Sequence, residues 1–237
     1  MSEPIDVANR WTQAVNNYCE RTGPEFWSEP LNAVTNAAFL LGAAATWWLA
    51  GRQGRRGDWG VIALVGLQVA IGIGSFLFHT VATRWAALAD VIPIQLFILV
   101  YLHLATVRLL GAPVWAGAAA AAAFVPASVV AAMGIAALVG PLNGSVGYVP
   151  TMLLLFAYAG ALALRGHPAA RGLAVGGALL AVSLVWRTLD DQSGAVCAAF
   201  PLGTHWLWHL TNGVLLAWVA GVMVRHGAPL APRARAG

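Results

Sequence analysis

Seven stretches of about twenty predominantly apolar residues divide this sequence, each long enough to cross ~30 Å of hydrocarbon as a helix rising ~1.5 Å per residue. They run roughly from Leu31 to Ala50, Trp59 to Thr80, Trp85 to Leu109, Val114 to Met133, Gly147 to Leu164, Gly172 to Leu189 and Leu202 to Val224, with Pro126, Pro141 and Pro150 interrupting the fourth and fifth. A chain of 237 residues that is 59% hydrophobic and only 9% charged cannot cover a soluble surface. The fold class that follows is an all-α membrane protein, a seven-transmembrane helix bundle. Residues 1–30 form an N-terminal segment, 31–226 the helical domain and 227–237 a disordered tail. The first thirty residues carry scattered charges and no apolar core, so no cleavable signal peptide is expected. Ala116 to Ala123, and Gly172 with Gly176, read as faces for close helix packing.

All 13 cationic side chains are Arg and the chain has no Lys, which excludes a retinal Schiff base. No basic run is present that would track a phosphate backbone, so nucleic acid is not an expected partner. Relative to seven spans, Arg52, Arg55, Arg56, Arg108, Arg165, Arg171, Arg225, Arg233 and Arg235 fall on one side, and Arg10, Arg21, Arg84 and Arg187 on the other. The positive-inside rule then puts the C-terminus in the cytoplasm and the N-terminus outside. Cys19 and Cys197 both fall on the outer side, where one disulfide is permitted. The Ala, Gly and Arg bias fits a GC-rich bacterial genome, which makes the location the cytoplasmic membrane, with the outer end facing the periplasm.

Ionisable residues inside a span cost about 2.5–3.5 kcal/mol each on insertion scales, so they are functional candidates. Here they converge. The second span ends at His79, the third reaches Asp90, and the seventh opens with His205-Trp206-Leu207-Trp208-His209. Helical rise sets His79, Asp90, His205 and His209 at similar depths, about 5–10 Å below the outer surface. His205 and His209, four residues apart, share a helix face and can chelate one ion, with His79 as third ligand. Three neutral imidazoles leave zinc a fourth position for water, whose pKa falls to about 7. Asp90 is then the base or orienting group for that water, and Ser75, one turn from His79, a hydrogen-bond donor to a polarised carbonyl. Bis-imidazole haem ligation is the rival use of such histidines, but there is no Cys-x-x-Cys-His and only one depth is populated. His103, His167 and His226 have no convincing partner. Asp190 and Asp191 end the sixth span, as simple terminal residues or as groups orienting a zinc ligand.

The runs Gly74-Ser75-x-x-Phe78-His79, Leu88-x-Asp90-x-x-Pro93 and His205 to His209 resemble the alkaline ceramidase family, part of a wider superfamily of seven-helix membrane hydrolases and receptors. Tyr18-Cys19-Glu20 and Glu29-x-x-Asn32-x-x-x-Asn36 are similar to that family's N-terminal segments. The resemblance implies zinc on His79, His205 and His209, catalysis by Asp90 and Ser75, and a Cys19–Cys197 disulfide. It also implies hydrolysis of the ceramide amide to a sphingoid base and a fatty acid, with membrane lipids and a ceramide-like substrate as partners and no obligatory protein partner. Family members of animal type hold calcium in an acidic N-terminal loop. The matching positions here are Asn17, Tyr18, Glu20, Thr22 and Glu29, with Asn17 where a carboxylate stands. A lipid-binding receptor with a structural zinc and a phospholipid or GPI ester hydrolase are the alternatives.

Overall fold

A computed structural model describes residues 10–228; Glu3, Asp6, Arg233, Arg235 and nearly all of the tail expected to be disordered lie outside the described residues. Seven helices are long and apolar enough to cross a membrane: α1 (Pro30–Arg52), α2 (Trp59–Val81), α3 (Arg84–Arg108), α4 (Val114–Val139), α5 (Leu142–Ala163), α6 (Ala169–Leu189) and α7 (His205–His226). Such a chain is consistent with a multi-pass membrane protein, and no β-strand occurs among the described residues.

The prolines interrupt less than their positions suggest. Pro126 lies inside α4, which continues to Val139, because a broken helix in hydrocarbon frees several backbone groups at once. Pro150 falls in the first turn of the helical part of α5, Val149–Ala163, where a missing N–H costs nothing. Pro141 lies in the connection before the 3-10 turn Leu142–Gly147 that opens α5.

The most buried span is α7, with 61% of its apolar stretch inside the bundle, against 0% for α4. Glycine makes this central position possible. A Cβ on Gly172 would lie 2.5 Å from Val222, and one on Gly176 2.8 Å from Val219, so α6 packs on α7 as the small-residue reading anticipated. The alanine run of α4 does not behave this way. Gly117 is the one buried residue of that helix and meets His103 and Val107, while most of the alanines face outward.

Asp58 organises the end of the bundle remote from His79. Its Oδ1 accepts the Gly60 N–H at 2.9 Å and caps α2, and its carboxylate pairs with Arg55 at 2.6 Å and Arg108 at 2.7 Å. Arg55 in turn donates to the Val224 carbonyl at 2.8 Å, tying down the last turn of α7. Burial works against the charge on Asp58, but the bonds from Arg55 and Arg108 outweigh it and hold the carboxyl below its usual range.

At the other end, residues 10–29 cross the bundle. Val15 donates to the Ala82 carbonyl at 2.8 Å, Arg84 donates to the Gln13 carbonyl at 3.1 Å, and a Cys19–Cys197 disulfide, Cα–Cα 5.3 Å, closes the segment over the site.

Candidate metal centre

His79 comes from the last turn of α2, His205 opens α7, and His209 follows one turn later. All three are buried. Their ring centroids are 5.1 Å (His79–His205), 4.7 Å (His79–His209) and 4.6 Å (His205–His209) apart. One ring nitrogen from each lies within 4.8 Å of those of the other two. Nε2 of His79, Nδ1 of His205 and Nε2 of His209 are buried without a hydrogen-bond partner. Leaving three polar atoms unsatisfied costs about 1–3 kcal/mol each, and a cation shared by the rings removes that cost. The arrangement fits a metal, with nothing in it specific to zinc alone.

The opposite ring atoms are fixed by oxygen. Glu29 Oε2 lies 2.5 Å from His79 Nδ1, and the Thr35 hydroxyl lies 3.0 Å from His209 Nδ1. Tyr18 stacks on His205 with ring centroids 3.8 Å apart, and burial raises its phenol to about 12 despite the nearby Arg187, so the ring stays neutral. Asp190 positions His205 through the backbone. Its Oδ2 accepts the N–H of Thr204 at 2.6 Å and of His205 at 2.7 Å, while Oδ1 accepts the Cys19 N–H at 2.9 Å. The imidazole itself is not its partner, so of the two readings of Asp190, span end or orienting group, the structure shows a carboxylate that holds the start of α7. Asp191 instead caps the following turn through Ser193.

Ser75 and Asp90 meet where α2 and α3 cross. A Cβ on Gly74 would lie 2.0 Å from the Ala89 carbonyl oxygen, so only glycine allows this approach. The Ser75 side chain lies within interaction range of the Asp90 carboxyl group, whose Oδ1 is buried and has no partner. The three predicted ligands converge from α2 and α7, and Ser75 and Asp90 lie at the crossing of α2 and α3, with Asp90 in the electrostatic field of His79.

The five residues matching the calcium positions scatter in role. Asn17 and Thr22 are exposed, and Tyr18 is spent on His205. Glu20 accepts the Leu31 and Asn32 N–H groups at 2.7 and 2.8 Å, capping α1; burial pushes its carboxyl up against these bonds. Glu29 is shared among His79, Arg21 and Asn32. Burial opposes its charge, but these three bonds outweigh it and hold its carboxyl low.

Arg187, a topology signal by its place in the sequence, lies beside the site. Its guanidinium is 5.6 Å from the Tyr148 ring centroid and 5.4 Å from that of Trp208, and its Nη1 reaches the Tyr18 hydroxyl at 3.5 Å. The clue was its place inside the last turn of an apolar span. Tyr148 and Trp208 also line an apolar cleft that continues past Phe97, Leu155 and Leu215. No family model, curated protein or solved structure matches this chain.

Proposed function

We propose that this chain is a membrane-embedded, zinc-dependent amidohydrolase that cleaves the N-acyl bond of ceramide or a related long-chain lipid amide. The observation that carries the reading is the set of three buried imidazoles with unpartnered nitrogens beside a Ser75–Asp90 pair. Bound zinc supplies an activated water and a Lewis acid for the carbonyl. His79, His205 and His209 hold it as neutral donors. Asp90 takes the proton of the attacking water at Oδ1 and returns it to the departing amine, so amide and water become amine and carboxylic acid. The Ser75 hydroxyl donates to the scissile carbonyl oxygen as charge develops there. The apolar cleft below Trp208 accepts the acyl chain and keeps bulk water from it.

The site end faces the periplasm of a bacterial cytoplasmic membrane in this reading, with the N-terminus outside and the C-terminus cytoplasmic. The disulfide at that end supports the orientation, since such bonds persist in oxidising compartments. A purely structural zinc accounts poorly for the unpartnered Asp90 oxygen.

The test is a substrate panel. Purified protein is incubated with N-acyl sphingoid bases, other lipid amides, and phospholipid and GPI esters, with and without chelator. Amide hydrolysis that is lost on chelation and restored by zinc is expected. Ester hydrolysis alone would reassign the substrate class, and no hydrolysis by zinc-loaded protein would remove the enzyme reading.

A further inference from the structure

Calcium takes six to eight oxygen ligands, several of them carboxylate, and of the positions matching the calcium site only Glu20 and Glu29 are carboxylates, each with both oxygens already accepting N–H groups. Glu20 Oε1 and Oε2 each hold a backbone N–H of α1. Glu29 Oε1 holds Arg21, and Oε2 holds His79 and Asn32. A positive charge is nevertheless present, and it is covalent. The Arg21 side chain is 3% exposed. Its Nε donates to Glu29 Oε1, Nη1 to the Gly23 carbonyl at 3.0 Å, and Nη2 to the His79 carbonyl at 3.1 Å. One carboxylate and two carbonyls are the oxygen types a hard cation collects. The planar fork of guanidinium collects them in fixed directions without a desolvated ion.

We propose that the Arg21 guanidinium is the resident cation of the N-terminal segment, holding Glu29 against His79 in place of a divalent ion, and that the chain needs no calcium. Arg21 grips both ends of the relationship, the carboxylate that orients the His79 ring and the carbonyl of His79 itself. It is a positioning residue, acting through Glu29 on a ligand, and the inference rests on the reading that His79 binds the metal. Calcium brought to these matching positions meets a buried guanidinium and two carboxylates, Glu20 and Glu29, whose oxygens are already engaged.

The experiment uses the full chain in detergent or nanodiscs. Equilibrium dialysis with radioactive calcium measures binding to the wild type, and cobalt, a spectroscopic stand-in for zinc, reports the affinity and geometry of the His site in wild type, Arg21→Met and Arg21→Lys. Calcium binding at background is expected, together with one cobalt per wild-type chain. Arg21→Met should bind cobalt about 10- to 100-fold more weakly with an altered visible spectrum, the effect of losing an outer orienting partner. Arg21→Lys, which keeps the charge without the fork, should fall between. One calcium per wild-type chain would overturn the proposal. So would an Arg21→Met protein that is less heat-stable yet binds cobalt with wild-type affinity and spectrum, the result for a merely structural arginine. If Arg21→Met does not fold, Arg21→Lys and the calcium measurement decide: wild-type cobalt behaviour in Arg21→Lys, or calcium uptake, overturns it. Failure of the wild type to bind cobalt would remove the metal reading itself, a separate outcome.

Discussion

Glu29 Oε2 lies 2.5 Å from His79 Nδ1, across a separation of 50 residues. The bond fixes the His79 ring with its unpartnered Nε2 in the cluster. Glu29→Gln keeps an acceptor but removes the charge facing both His79 and Arg21. Zinc affinity should fall about 10- to 100-fold, measured by chelator competition. Folding stability should fall by about 3–5 kcal/mol, because the Arg21 guanidinium loses its buried partner. An unchanged affinity would mean the carboxylate has no part in orienting the ligand.

Asp90→Asn keeps the volume and hydrogen-bonding capacity of the side chain and removes the proposed base. Zinc should stay bound and the protein folded, while lipid-amide turnover drops by about 10²- to 10⁴-fold. Parallel zinc analysis, thermal unfolding and hydrolysis assays check this. Near-normal turnover would mean that the base lies elsewhere.

The Cys19–Cys197 bridge spans a separation of 178 residues and adjoins Asp190, which holds both the Cys19 N–H and the first turn of α7. Replacing both cysteines by Ser should cost about 2–4 kcal/mol, the usual range for a disulfide, and speed zinc loss to a chelator. The readouts are melting temperature and chelator kinetics, and no change in either would assign the bridge no role in holding the site.

Asp58 gives a pH prediction at the remote end. Burial raises its carboxyl pKa, but the bonds from Arg55 and Arg108 dominate and lower it below the unfolded value. Its stabilisation is therefore complete above the ordinary carboxylate pKa of about 3.9 and is lost as pH falls through the lower folded value. Asp58→Asn retains an N-capping oxygen for α2, which isolates the charge. Wild type should melt higher than Asp58→Asn at neutral pH, with the gap closing on acidification. A gap independent of pH would contradict the ion-pair role.

The seven spans were legible because hydrophobic length is a local property, and every expected span overlaps an observed helix. The three histidines were legible because His205 and His209 sit at helical spacing and His79 shares their depth. Asp90 was singled out by the same depth argument and Ser75 by lying one turn from His79, although the crossing that brings their helices together depends on Gly74, whose closeness to Ala89 no periodicity reveals. The partners that hold the rings were not legible. Glu29, Thr35 and Tyr18 reach the histidines from an irregular segment and the second turn of α1, and their pairings depend on how the chain crosses the bundle. Arg21 and Arg187 looked like topology markers, since a charge near a span boundary carries no sign of whether it points to water or inward.

The central claim is that His79, His205 and His209 hold a single metal ion, and metal analysis of purified protein tests it most directly. The prediction is one zinc per wild-type chain and none in folded His209→Ala, with Nε2 of His79 and Nδ1 of His205 left as an incomplete pair. Full zinc occupancy in His209→Ala, or no transition metal in wild type purified without chelator and then offered zinc, would contradict it.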